Sequence, residues 1–200
     1  MPKIGMAEIR RPQLINATME VIDQVGMQGA SVALIGRAAD VSPGIINHYF
    51  GGKDGLLEAT MRKVLNDLFT LVRQRLALVP EDQPMDRLKA IISANFDKEQ
   101  TQDKIAKTWL AFWAQAMHHP ALFRLQRVNE KRLLSYLRIE LKKVLPREHA
   151  VAVSLTVAAL IDGFWLRGAL QPEGVNAQLA QERIMDYLTL QLSHATQALA

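Results

Sequence analysis

The stretch that decides the fold is Val32-Ala33-Leu34-Ile35-Gly36-Arg37-Ala38-Ala39-Asp40-Val41-Ser42-Pro43-Gly44-Ile45-Ile46-Asn47-His48-Tyr49-Phe50. Two short runs of helical periodicity are separated by a turn at Asp40-Val41. Ser31 stands where an N-cap opens the first run and Ser42 where one opens the second. Pro43 then takes a first helical position, where its missing N–H costs nothing. Ile35, Ala38, Val41, Ile46 and Phe50 are spaced to pack into a core with a preceding helix, and Ala38 and Ala39 are small where two helices must cross closely. Such a unit sets its second helix into the major groove of DNA. The competing reading is an arbitrary helical hairpin.

Working outward, Ile9, Leu14, Ile15, Ala17, Thr18, Val21, Ile22 and Val25 form a helical stripe that Gly26 stops. Downstream, Lys53 to about Leu78 reads as a long helix with Leu56, Leu57, Met61, Val64, Leu65, Leu68, Phe69 and Val72 on its apolar face. Pro80 and Pro84 bracket a break. Helices then follow at about 85–99, 103–118, 121–144, 146–170 and 176–195, with no strand signal. The expected class is all-α with about nine helices. The expected division is a helix-turn-helix domain over 1–52 and a larger helical domain over 53–200.

The whole chain carries a formal charge of +4 and a pI near 9.5, which permits nucleic-acid binding. The distribution weakens that argument. Residues 1–50 hold Lys3, Arg10, Arg11 and Arg37 against Glu8, Glu20, Asp23 and Asp40, so the reading segment is neutral in total. Placement of charge, not its sum, must do the work. Cysteine is absent, which excludes disulfides and thiolate metal sites. Charges interrupt the long apolar segments and no signal-peptide core follows Met1, so no membrane partner is expected and the location read from this is cytoplasmic.

Ala38, Val41, Ser42, Gly44, Ile45, Tyr49-Phe50, Lys53, Asp54 and Leu56-Leu57 resemble, at their spacing, the TetR-type transcriptional repressors. Asp40 departs from that pattern, where glycine is usual in the turn; Asp tolerates the left-handed conformation better than most residues. Gly36 stands where alanine is common and should weaken its helix by about 0.5–1 kcal/mol. Geometry and resemblance together place Pro43, Gly44, Asn47 and His48 near base edges. Asn47 suits a paired contact with adenine, or is an exposed side chain satisfied by water. The resemblance implies phosphate contacts for Tyr49 and Lys53, with Arg37 adding another from the first of the two helices. Lys3, Arg10 and Arg11 form an arm that crosses a groove or stays solvated.

The resemblance extends beyond this domain. Asn95-Phe96-Asp97, Lys107-Thr108-Trp109-Leu110-Ala111-Phe112-Trp113-Ala114, His118-His119-Pro120, Leu145-Pro146-Arg147-Glu148 and Ala159-Leu160-Ile161-Asp162-Gly163-Phe164-Trp165-Leu166-Arg167 are similar to the choline-responsive branch of the family. That likeness implies a repressor, bound as a homodimer to palindromic double-stranded operator DNA, released by choline and controlling choline uptake and glycine betaine synthesis genes under osmotic stress. No cofactor is expected. The alternative is a TetR-type repressor sensing another cationic or amphipathic metabolite.

The residues themselves bear on the ligand. Trp109 and Trp113 are four apart on one helical face beside Phe112, and Trp165 lies three beyond Asp162. Indoles beside a carboxylate suit a small quaternary ammonium ligand, which offers no ordinary hydrogen bond and binds ring faces. A tryptophan stripe also serves as plain core. Asp97 and Glu140 rival Asp162 as the acid. The helix from Pro146 is apolar on more than one side and so must be buried all round, with Leu179, Ile184, Leu188 and Leu192 as a companion stripe; the resemblance implies that these two last long helices form the dimer interface. An enzyme is disfavoured: the five histidines lack metal-ligand spacing, and there is no nucleophile motif or Gly-rich phosphate loop.

Overall fold

The computed structural model describes residues 6–197. Among them are nine helices: α1 (Met6–Gly29), α2 (Val32–Ala38), α3 (Pro43–Phe50), α4 (Lys53–Ala77), α5 (Pro84–Asn95), α6 (Asp103–Ala116), α7 (Pro120–Leu141), α8 (Arg147–Ala169) and α9 (Ala177–Gln197). The described residues contain no strand. The all-α expectation is met, and most boundaries fall within a few residues of those read from periodicity.

Local chemistry explains the first three helices. Gly26 leaves helical geometry at φ 70°, breaking α1 where the apolar stripe ends. The Ser31 hydroxyl accepts a hydrogen bond from the Leu34 N–H at 3.2 Å, capping α2. Ser42 holds the N-cap position of α3 without a side-chain cap bond, and Pro43 follows it. The turn between them is built on Asp40, at φ 50°. Gly51 closes α3 in the left-handed region, its N–H donating to the Asn47 carbonyl at 2.9 Å.

The chain forms two compact units. The first comprises the described residues up to Asn66 together with Asp103–Gln126; the second comprises Asp67–Gln102 with the described residues from Arg127 onward. In the first, Leu14, Ala17, Val21, Ile22, Ile35, Ala39, Ile46, Leu56 and Leu57 make the core, with Ala111 of α6 packed against it. Ala38, expected in this core, is exposed, and its neighbour Ala39 takes the place. The reason is phase: α2 ends at Ala38, and the turn carries Ala39 inward. α6 lies along α1 and is tied to it by the Lys107–Asp23 ion pair at 2.6 Å.

In the second unit, α9 packs on both α5 and α8. Arg87 holds the α4–α5 turn by donating to the Leu76 and Val79 carbonyls at 3.1 and 2.9 Å. α5 stops at Asn95, short of the expected 99, because Asp97 organises a turn. Its carboxylate accepts from the Glu99 N–H at 2.9 Å, and its carbonyl accepts from Gln100 and Thr101. Ala150, Val153, Ser154, Val157, Ile161 and Trp165 bury one face of α8, while Leu155 is 49% exposed on another. By length and composition alone α8 is also able to cross a membrane. Asp162 is the charge that interrupts this helix between Glu148 and Arg167, in keeping with the reading that charges break the long apolar runs.

Candidate nucleic-acid interface and effector residues

α3 exposes the side that its sequence implies. Pro43, Gly44, Asn47 and His48 are all exposed, and Ile46 is fully buried beneath them. Because the Ser42 hydroxyl makes no cap bond, the start of α3 stays open to an anionic oxygen. Tyr49 is half-buried, its ring 4.8 Å from that of His48 in an edge-to-face pair. Lys53 is half-buried at the start of α4, with Nζ 3.4 Å from the Met27 carbonyl. Arg37 is exposed on α2. Lys3 lies outside the described residues.

Arg10 and Arg11 have partners. Arg10 donates to Gln13 Oε1 at 2.8 Å, and Gln13 Nε2 donates to the Ala39 carbonyl at 2.6 Å. Arg11 donates to the Tyr49 carbonyl at 2.7 Å and its guanidinium lies 4.6 Å from the Phe50 ring centroid. Sequence reasoning missed Gln13, since a glutamine on a helix carries no signal of a partner 26 residues away. It also missed Gly55, where a Cβ would stand 1.9 Å from the Phe50 carbonyl oxygen. Glycine there lets the first turn of α4 abut the end of α3, which fixes Lys53 beside the reading helix.

The candidate effector residues fall into groups within each unit. In the first, Trp109 packs edge-on to Phe112 at 5.9 Å and tilted to Trp113 at 5.8 Å. Trp109 and Phe112 are buried, whereas Trp113 is half-buried and donates Nε1–H to Gln126 Oε1 at 3.2 Å. In the second unit, Trp165 is buried with Nε1–H donating to the Asn95 carbonyl at 3.1 Å. Phe96 meets Phe164 edge-to-face at 6.5 Å. Phe96 and Asp97 also line a groove of about 860 Å³ with Arg75, Ile92 and Met185.

The three rival carboxylates differ in what they already hold. Asp97 is paired with Arg75, which also donates to Ser93 Oγ at 2.6 Å. Glu140, 2% exposed, is bridged by Arg87 at 2.8 Å and Lys143 at 2.6 Å. Asp162 has no ion pair among the described residues. Asp162 is exposed on α8; desolvation by its surroundings pushes its pKa up to about 6, and the Glu130 carboxylate adds to the rise. An unpaired acid reinforced by a second acid is a place for a cation. Glu130 was not anticipated, because it lies on a different helix.

The helices α1–α3, with α3 exposed along one side, have the form of a helix-turn-helix, and further helices follow them in the chain. Residues 14–60 match the model of bacterial regulatory proteins of the tetR family, and residues 84–193 match that of the BetI-type transcriptional repressor C-terminal domain. The HTH-type transcriptional regulator BetI of Vibrio vulnificus (strain YJ016) is 58% identical over 197 residues, covering 98% of this chain and 100% of the relative. A transcriptional regulator from Pseudomonas aeruginosa PAO1 superimposes with a TM-score of 0.83 at 27% identity, covering 96% of this chain and 95% of the other. A regulator from Saccharomonospora viridis, solved in complex with choline, shares the fold with a TM-score of 0.77 at 16% identity, covering 91% and 96%. The chain belongs to the TetR family, in its branch of BetI-type transcriptional repressors. Its relatives are transcriptional regulators, not enzymes.

Proposed function

We propose that this repressor binds a palindromic operator as a homodimer and releases it on binding choline, thereby controlling choline uptake and glycine betaine synthesis genes under osmotic stress. The observation that carries this reading is the near-full-length likeness to regulators named BetI; the choline complex of a regulator sharing the fold supports the ligand class. Residues 1–52 read DNA and 53–200 sense and dimerise. Pro43, Gly44, Asn47 and His48 approach bases, while Tyr49, Lys53 and Arg37 contact phosphates. Lys3 and Arg10 belong to the amino-terminal arm. The protein works in the bacterial cytoplasm, on the nucleoid when bound.

Asp162, whose ionisation the Glu130 carboxylate opposes, supplies the charge for a quaternary ammonium group. Trp165 and Phe96 are the aromatic residues of the same unit, and Trp109, Phe112 and Trp113 those of the first. Asp97 and Glu140 serve the fold through their own cations. A ligand releases DNA only if it prefers the DNA-incompetent state. α6, which carries Trp109 and Trp113 and lies along α1, is a direct route from effector residues to the reading domain. Two-fold pairing through α8 and α9 would cover Leu155, Leu166, Leu179 and Leu190, all exposed in the single chain.

The test is a calorimetric titration with choline, glycine betaine and the neutral isostere 3,3-dimethylbutanol, followed by release from operator DNA. Choline should bind and release the operator, and the isostere should do neither. Equal response to the isostere would overturn the cationic site, and no response to any quaternary amine would overturn the choline reading.

A further inference from the structure

We infer that Arg11 and Gln13 form a two-point clamp through which α1 sets the orientation of the recognition helix, making both of them positioning residues for operator reading. The inference rests on the assignment of α3 as the DNA-reading helix. Gln13 Nε2 donates to the Ala39 carbonyl at 2.6 Å, at the junction of α2 and the turn. Two residues earlier on α1, Arg11 donates to the Tyr49 carbonyl at 2.7 Å, in the last turn of α3. One α1 turn therefore grips the segment just before α3 and the far end of α3 itself.

The chemistry favours these contacts over solvated side chains. The Tyr49 carbonyl belongs to the last turn of α3, where carbonyls lack helical partners and the helix end is partly negative, so a guanidinium is the preferred donor. The same guanidinium stacks at 4.6 Å over Phe50, using a planar face that a lysine ammonium lacks. Gln13 is itself oriented by Arg10, which donates to its Oε1 at 2.8 Å and so directs Nε2 toward Ala39. Ile46, with Ile45, Tyr49 and Phe50, seats this eight-residue helix on the core, and the two polar contacts add directional restraints at its two ends.

The test compares Arg11→Lys and Gln13→Met with the wild type on an operator selected from random sequence by the wild-type protein, and on random DNA, across a salt series. Titration to stoichiometry corrects each variant for its active fraction. The clamp predicts a loss on the order of tenfold on the operator and little loss on random DNA, for both variants. A third variant, Arg11→Gln, removes the charge and should leave the salt slope unchanged, since a phosphate contact would contribute about 0.9 to that slope. Restoration of operator affinity by lysine at position 11, a slope reduced by one contact, or a loss shared equally by both DNAs would overturn the clamp. A wild type that binds no DNA would overturn the reading-helix assignment as well, whereas normal variants on a binding wild type would overturn the clamp alone.

Discussion

A Cβ on Gly36 would stand 2.9 Å from the carbonyl oxygen of Val41. The same two residues are joined by a hydrogen bond from the Val41 N–H to the Gly36 carbonyl at 2.9 Å. Glycine in α2 thus allows the turn to fold back against the helix it leaves. Judged by propensity, Gly36 only weakens α2; judged by packing, it permits the turn.

Gly36→Ala should therefore destabilise the protein despite a helix-propensity gain of about 1 kcal/mol. The obstructing atom is backbone and cannot rotate away, so the turn at Asp40 must shift. Net destabilisation of about 1–2 kcal/mol is expected from overpacking of this kind. Urea denaturation measures it, and a rise in the midpoint would contradict the account.

Glu140→Ala should lower stability by about 3–5 kcal/mol, the usual result of stripping one partner from a buried ion pair. It leaves Arg87 half-buried opposite a hole and frees Lys143 from α7. Glu140→Gln, milder because it keeps an acceptor for Arg87, should preserve choline affinity in the folded protein. A large loss of choline affinity in Glu140→Gln would return Glu140 to the effector site.

Asp162 gives a pH dependence with a definite sign. Its pKa is raised from 3.8 to about 6, so between those values the folded state holds a proton that the unfolded chain has released. Its contribution to stability is present in full below about 4 and is lost as pH rises to about 6. Asp162→Asn should remove that decline, seen by comparing denaturation midpoints at pH 4.5 and 7. Choline, favouring the ionised acid, should bind the wild type more weakly as pH falls below about 6, and Asp162→Asn should bind weakly at every pH.

Lys53→Gln should weaken operator and random DNA to similar degrees and reduce the salt slope by about 0.9, the mark of a lost phosphate contact. Fluorescence anisotropy at three or four salt concentrations suffices. Loss confined to one operator position would mean that Lys53 reads a base.

Leu155→Lys should shift the protein toward monomer in sedimentation and reduce operator affinity. Leu155 is 49% exposed on the apolar α8, and placing a charge there opposes burial against a second copy. A dimer of unchanged stability would move the interface elsewhere.

Much of the fold was legible because helical periodicity, proline and glycine act locally. The apolar stripe of α4 proved buried from Leu56 to Val72, Ser31 capped α2, and Gly26 broke α1 where the pattern ended. Exposure of Gly44, Asn47 and His48 followed from the same phase, since they lie on the sides of α3 turned away from buried Ile46.

What the sequence by itself determined is the class: nine helices, a recognition segment and a family likeness, all written in short-range spacing. Tertiary structure decided which polar groups are already spoken for. Asp97, Glu140 and Asp162 look alike in sequence, but Arg75, Arg87 and Lys143 neutralise the first two, while Asp162 meets another acid. Arg11 likewise reads as a loose arm until the Tyr49 carbonyl comes within 2.7 Å. The physical reason is one of range. Helix formation depends on neighbours a few residues away, whereas the ionisation and orientation of a side chain depend on groups that folding brings from distant parts of the chain.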